Sequence, residues 1–285
     1  MEKNNTSTAT SDAQEAMESI QVPTSGRLVI PMTNDYLFRA LLEKNNAVLC
    51  EMIRDLLHLD VSETVMATIK NPIEPGQTID EKEFILDILA EINGSFLVNI
   101  EMQVINTRNW VERSLSYLCR NYDRIERGED YFVAKPVYQI GLLNFTLFED
   151  DPEFYSTYRM LNEKTHRPYG DKLCVKVLDL NRVDLATEED RLYKIDYWAR
   201  LFKATSWEEI HMLTENKPII TEAAKTVYSL TQDEEFRLRC EAREDYYRTQ
   251  NDVKHYYERQ IDSLKKENEE KDKLIAELQA KLNGK

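Results

Sequence analysis

Asp87, Glu101 and Gln103 are the residues of this chain whose types and spacing could do chemistry together. They fall in the stretch 84–104, FILDILAEINGSFLVNIEMQV. Even-numbered residues there are apolar without exception: Phe84, Leu86, Ile88, Ala90 and Ile92, then Phe96, Val98, Ile100, Met102 and Val104. Strand side chains alternate with period two, so two strands, 84–92 and 96–104, would turn this set toward a core. The odd set carries Asp87, Glu91, Asn99, Glu101 and Gln103, mixed with Ile85, Leu89 and Leu97. Carboxylates beside an amide are the oxygen ligands that hard divalent cations take. A solvated polar face on an amphipathic hairpin is the competing account of the same pattern.

The turn decides which residues face each other. Asn93-Gly94 suggests a two-residue turn. That turn would pair Ile92 with Ser95 and oppose odd residues to even ones, turning one apolar face outward. A three-residue loop, 93–95, pairs Ile92 with Phe96 and Asp87 with Glu101, and both apolar faces then agree. Directly opposed residues have Cβ atoms about 5 Å apart, close enough for two carboxylates to share a cation. Glu91, four residues from Asp87 on the same face, lies roughly 13 Å away along the strand and is expected to be solvated. Asn99 could support the site or simply face solvent.

Other candidates come from helices. The segment 108–127, RNWVERSLSYLCRNYDRIER, predicts a helix with Val111, Leu115, Leu118, Tyr122 and Ile125 as its core stripe and Gly128 as its stop. Arg113, Ser114, Tyr117 and Arg120 lie on it. Arg113 and Tyr117 are four apart and so share a face. A guanidinium fork matches phosphate, and a phenol can hydrogen-bond it, which makes this pair a candidate for substrate binding. Asp35 begins an earlier helix; it is either a further metal ligand or a residue favoured by the helix dipole.

The elements that position these groups suit an α/β domain. Thr33-Asn34-Asp35 offers an N-cap for a first helix, and 47–57 a second. Strands are expected at 61–69, in the hairpin, at 137–147 and at 172–180, giving helices around one mixed sheet. Beyond 188 the pattern is helical: 188–203, 206–214, 219–229 and a long charged stretch from 233. Near its end Ile261, Ile275 and Leu282 fit heptad position a, and Leu264 and Leu278 fit d, with Asn268 and Lys271 in the remaining slots. That is a short, marginal coiled coil, or else a solvated tail helix. The expected organisation is a disordered arm 1–27, an α/β domain 28–183, a helical extension 184–232 and a charged helical or coiled-coil tail 233–285.

Composition excludes several classes. No run of about 18 apolar residues is present, so no transmembrane helix is expected, and the N-terminus lacks the apolar stretch of a secretory signal. Cys50, Cys119, Cys174 and Cys240 and the four histidines show no metal spacing; reduced, buried thiols in a cytoplasmic protein are the expectation. The net charge is −15. Residues 30–150 hold 11 Lys/Arg against 20 Asp/Glu, or −9. Bulk electrostatics therefore cannot hold nucleic acid, and any phosphate must be gripped locally by a divalent cation and a few arginines.

The order of these pieces resembles the PD-(D/E)XK nuclease-family transposases, the recombination-promoting nuclease family. The resemblance is carried by NDYLFRALL at 34–42, LDI at 86–88, NIEMQ at 99–103, RSLSY at 113–117 with Tyr122, GEDY at 128–131 and KPVYQI at 135–140. It covers roughly 30–180. It implies a restriction-endonuclease-like core with a mixed sheet flanked by helices, here followed by an all-helical extension, and Mg2+-dependent cleavage of DNA, with Mn2+ as a substitute. By position Asp87 is then the aspartate of the motif and Glu101 the acid of its E-x-K part. Both are metal ligands and catalytic, and Asp35 is a further acidic ligand. Gln103 stands where many members of the wider superfamily have lysine. It can orient water or a phosphate oxygen but carries no charge. Two alternatives are an inactive nuclease fold that acts through partners, as a homo-oligomer joined by its last helix, and a full transposase. No separate basic DNA-binding module supports the latter.

Overall fold

Alternation along one strand sets the architecture. The computed structural model describes residues 20–71, 88–125 and 127–283. In it Val98, Ile100 and Met102 belong to a large apolar core on one side of a sheet, and Leu97 belongs to a smaller core on the other. Among the described residues the sheet has six strands: β1 (Ala67–Ile69), β2 (Ile88–Ile92), β3 (Phe96–Gln103), β4 (Val137–Leu143), β5 (Tyr155–Tyr158) and β6 (Leu173–Asp179), in the order β1-β2-β3-β4-β6-β5. β1, β2 and β3 pair antiparallel, β3, β4 and β6 pair parallel, and β5 closes the far edge antiparallel to β6. The sheet is mixed, as expected.

The helices form two layers. The large core joins the even face to α1 (Asp35–Lys44), α2 (Asn46–Leu56), α5 (Ile195–Lys203), α6 (Trp207–Thr214) and α7 (Ile219–Gln232). Asn34 caps α1 as expected, its side chain accepting from Tyr36 N and Leu37 N. That carboxamide also donates to Cys240 O, at 3.0 Å. The odd face is covered by α3 (Trp110–Tyr122), the crossover between the parallel strands β3 and β4, through Trp110 and Leu118.

The helical extension shares the main core. Trp198 and Phe202 of α5 are fully buried, with Phe202 edge-on to Phe38 of α1. A buried ionic group adds to this: Asp55 Oδ2 of α2 accepts from Trp198 Nε1 at 2.6 Å and lies 2.5 Å from Lys217 Nζ. Gly26 and Arg27, the end of the expected arm, bond to residues 206–208.

Several details differ from expectation. The helix expected at 188–203 is two, α4 (Glu188–Leu192) and α5, separated by Lys194 in the left-handed region at φ 59°. The 61–69 strand shrinks to β1, and β5 is additional. α3 ends at Tyr122, and Gly128 lies in the following loop at φ 95°. The face of α3 against the sheet is Trp110, Ser114, Leu118 and Asn121, while Val111 and Leu115 are exposed. All four cysteines are free, but Cys119 is exposed and Cys50 half-buried. No helix among the described residues is long and apolar enough to cross a membrane. By internal contacts one unit ends at Glu241 and a second begins at Ala242. The second is a continuous part of α8 (Glu234–Asn283), with Ile261, Leu264, Ile275 and Leu278 about half exposed.

Candidate active site

The β2–β3 turn is the three-residue loop. Ile92 pairs with Phe96, and the register runs on to Ile88 opposite Ile100. Asn93 and Gly94 both sit at positive φ, 51° and 68°. The Asn93 side chain fastens the loop to the edge, accepting from Met66 N at 2.8 Å and donating to Thr64 O at 2.9 Å. Asp87, and with it the expected pairing to Glu101, lies outside the described residues.

The polar residues of the odd face are buried rather than solvated. Asn99 is fully buried, Glu101 is 3% exposed and Gln103 9%. The reason is α3, which lies across β3, β4 and β6 on that side. Its first residue needs a gap in the sheet. Gly141 pairs with Glu101 across the β3–β4 ladder, and a Cβ there would overlap the Trp110 indole. The glycine thus seats Trp110 beside Glu101 and fixes where the helix starts.

One turn further on, Arg113 Nη2 lies 2.5 Å from Glu101 Oε1. The pair joins a side chain 4% exposed to one 35% exposed. The Arg113 guanidinium carbon is also 5.4 Å from the centre of the Tyr117 ring, with Arg120 over the same ring at 5.8 Å. Arg113 and Tyr117 do share a face, and that face carries Glu101's counter-charge. Ser114 points inward and donates to Val111 O at 3.0 Å, which removes it from the cluster.

The remaining candidates are placed as follows. Gln103 Nε2 donates to Ile105 O at 3.1 Å, so one amide hydrogen is engaged by the chain's own backbone. Asp35 is buried in the first turn of α1, a helix whose apolar residues pack into the even-face core. Glu91 is not solvated as expected: Lys135 and Lys70 bond one oxygen each. Those hydrogen bonds hold its pKa down at about 2. The residue after β1 and the segment before β4 supply the two lysines, a convergence that strand spacing alone does not show.

Sequence reasoning passed over four residues that complete this face. Gln139 accepts from Asn99 Nδ2 at 2.9 Å through Oε1. Its signal was a lone amide inside an apolar strand, YQIGLL. Trp110 and Gly141 are legible only as a pair. Asp179, 3% exposed at the end of β6, lies level with Gln103 across β4.

A divalent cation is the group this motif implies, and the residues present fit one. Two buried oxygens on this face, Asn99 Oδ1 and Asp179 Oδ2, have no hydrogen-bond partner. Buried acceptors are normally satisfied, and water carried by a cation would donate to them. Glu101 supplies the hard, charged oxygen. Among the described residues no three His, Cys, Asp or Glu side chains converge.

A mixed sheet between helical layers, with a buried acid on β3, makes this an α/β fold. Residues 32–257 match the family described as PD-(D/E)XK nuclease family transposase, and the chain belongs to that family. Membership carries a nuclease- or transposase-related function. The match runs past 180 to 257, taking in the helical extension and the first half of α8. No curated protein and no solved structure matches the chain.

Proposed function

We propose that this protein is a divalent-metal-dependent endonuclease that hydrolyses phosphodiester bonds in DNA, in the setting of recombination, mobile elements or defence in the cytoplasm. The observation that carries the reading is Glu101: a carboxylate buried on a β-strand within the family's pattern, answered by one half-buried arginine. Glu101 and Asp87 would hold Mg2+ or Mn2+; Asp35, whose helix packs on the even face, is left out of the set. Bound there, the cation would supply Lewis acidity and an activated water. Gln103, with one N–H engaged by Ile105 O, presents its carbonyl oxygen to orient water. Arg113 and Tyr117 bear on the scissile phosphate. The buried surroundings exclude bulk solvent and strengthen each electrostatic contact.

Nicking of supercoiled plasmid by the full chain in Mg2+ or Mn2+ tests this. Cleavage should be present in the wild type and lost in Asp87→Ala and Glu101→Gln. A folded wild type that does not nick, or a Glu101→Gln variant that nicks equally well, would refute it. The half-exposed Ile261, Leu264, Ile275 and Leu278 of α8 favour a second reading, self-association through a short coiled coil. Under it, the fold serves as a non-catalytic interaction protein. Sedimentation of the chain with and without residues 258–285 measures that association independently of cleavage.

A further inference from the structure

We propose that Arg113 is a built-in counter-ion that a divalent cation must displace from Glu101, so that metal uptake and release of the guanidinium are one event. The inference rests on the metal site of the reading above and adds a regulating residue to it.

Glu101 Oε1 is bonded to Arg113 Nη2 at 2.5 Å. The same oxygen is one a cation would use, and a carboxylate oxygen serving a guanidinium at that distance has little basicity left for a metal. The two cations also repel in a buried site where charge is poorly screened. Glu101 therefore holds one of them strongly or shares between both weakly. Arg113 is the partner built to move. Its side chain is 35% exposed against 4% for Glu101. Its Nε is buried and makes no hydrogen bond, so the fork is held from one end only. The Tyr117 ring already lies 5.4 Å from the guanidinium carbon, and that cation–π contact remains to hold the guanidinium once the ion pair is broken. A guanidinium freed there faces outward from the helix, with its donors open to phosphate.

This exchange couples the two ligands of the site. A phosphate that draws Arg113 from Glu101 raises the affinity of that carboxylate for metal. By linkage, the metal raises affinity for the phosphate equally. In a domain of net negative charge, the arrangement keeps a buried carboxylate neutralised until both components arrive.

Titration calorimetry with Mn2+ alone, without nucleic acid, tests the exchange. Arg113→Met should bind Mn2+ about tenfold more tightly than wild type, and Arg113→Lys, which keeps charge but loses the fork, a few-fold more tightly. Glu101→Gln should not bind at that site. Thermal melting gives a second readout: Arg113→Met should melt lower than wild type without Mn2+ and gain more on adding it. Mn2+ binding that depends on Glu101 but is unchanged or weaker in the Arg113 variants would overturn the exchange alone. Absence of Mn2+ binding in every form would overturn the metal site, and the exchange with it. If Arg113→Met does not fold, the Arg113→Lys affinity decides.

Discussion

Replacing Lys217 by Met asks whether the helices after β6 are welded to α2 by a buried charge. Asp55 Oδ2 sits 2.5 Å from Lys217 Nζ and 2.6 Å from Trp198 Nε1, with Glu51 Oε1 a further 3.5 Å from the ammonium. The Lys217 and Asp55 side chains are 6% and 10% exposed. Burial pushes the Asp55 carboxyl above its ordinary 3.8, and Lys217 and Trp198 pull it part of the way back. Removing one partner of a buried pair costs about 3–5 kcal/mol, because the other charge stays buried. Trp198 still donates to Asp55 in the variant, a hydrogen bond to a charged group worth about 1.5–3 kcal/mol, which places the expected loss near 3 kcal/mol at pH 7. The pH dependence carries a sign. A carboxyl whose folded pKa is raised contributes stability that is fully present below the unfolded value and lost as pH rises through the folded one. Without Lys217 the folded pKa climbs further, so the variant loses more over a wider window above 3.8. Urea denaturation of both proteins, followed by tryptophan fluorescence at pH 7 and pH 4, should show the gap narrow on acidification. A gap below about 1 kcal/mol at pH 7, the size of a surface pair, or one equal at both pH values, would refute the buried-pair account.

Gly141→Ala should destabilise by about 1–3 kcal/mol, the cost of overpacking, because the added methyl meets the Trp110 ring in a closed layer; chemical denaturation reads this directly. Glu91→Gln should cost no more than about 1 kcal/mol at pH 7, since its lysines are well exposed and screened by salt. That cost should be present above pH 4.5 and disappear as pH falls through about 2, because the Glu91 pKa is depressed. Paired urea titrations at pH 7 and pH 2.5 measure it, and an unchanged difference at the lower pH would count against the two-lysine clamp.

The hairpin was legible because its alternation and its turn constrain each other: only a three-residue loop keeps Ile92, Phe96 and their even neighbours on one side. The Asn34 cap was legible for a similar reason, since a local side-chain bond is written locally. The burial of Glu101 was not. Its face mixes Leu89 and Leu97 with carboxylates and amides, and the apolar members hinted at a lid whose identity lay ten residues downstream. The stripe of α3 misled because the lid covers polar groups, so Ser114 and Asn121 face inward while Val111 and Leu115 stay outside. β5 has four residues with little alternation, and the break at Lys194 uses a left-handed lysine where glycine would have announced it. Pairings such as Glu91 with Lys70 and Lys135, or Asp55 with Lys217, join distant elements and follow only from the assembled sheet and helices.

The bond from Asn34 to Cys240 O links the first helix of the domain to a carbonyl 206 positions later. At about 5–20 residues per second of synthesis, that partner emerges roughly 10–40 s after Asn34 does. During that interval the apolar faces of α1 and α2 lack the α5–α7 layer that covers them in the finished fold. The packing around α1 is therefore completed only once nearly the whole of unit one has been translated.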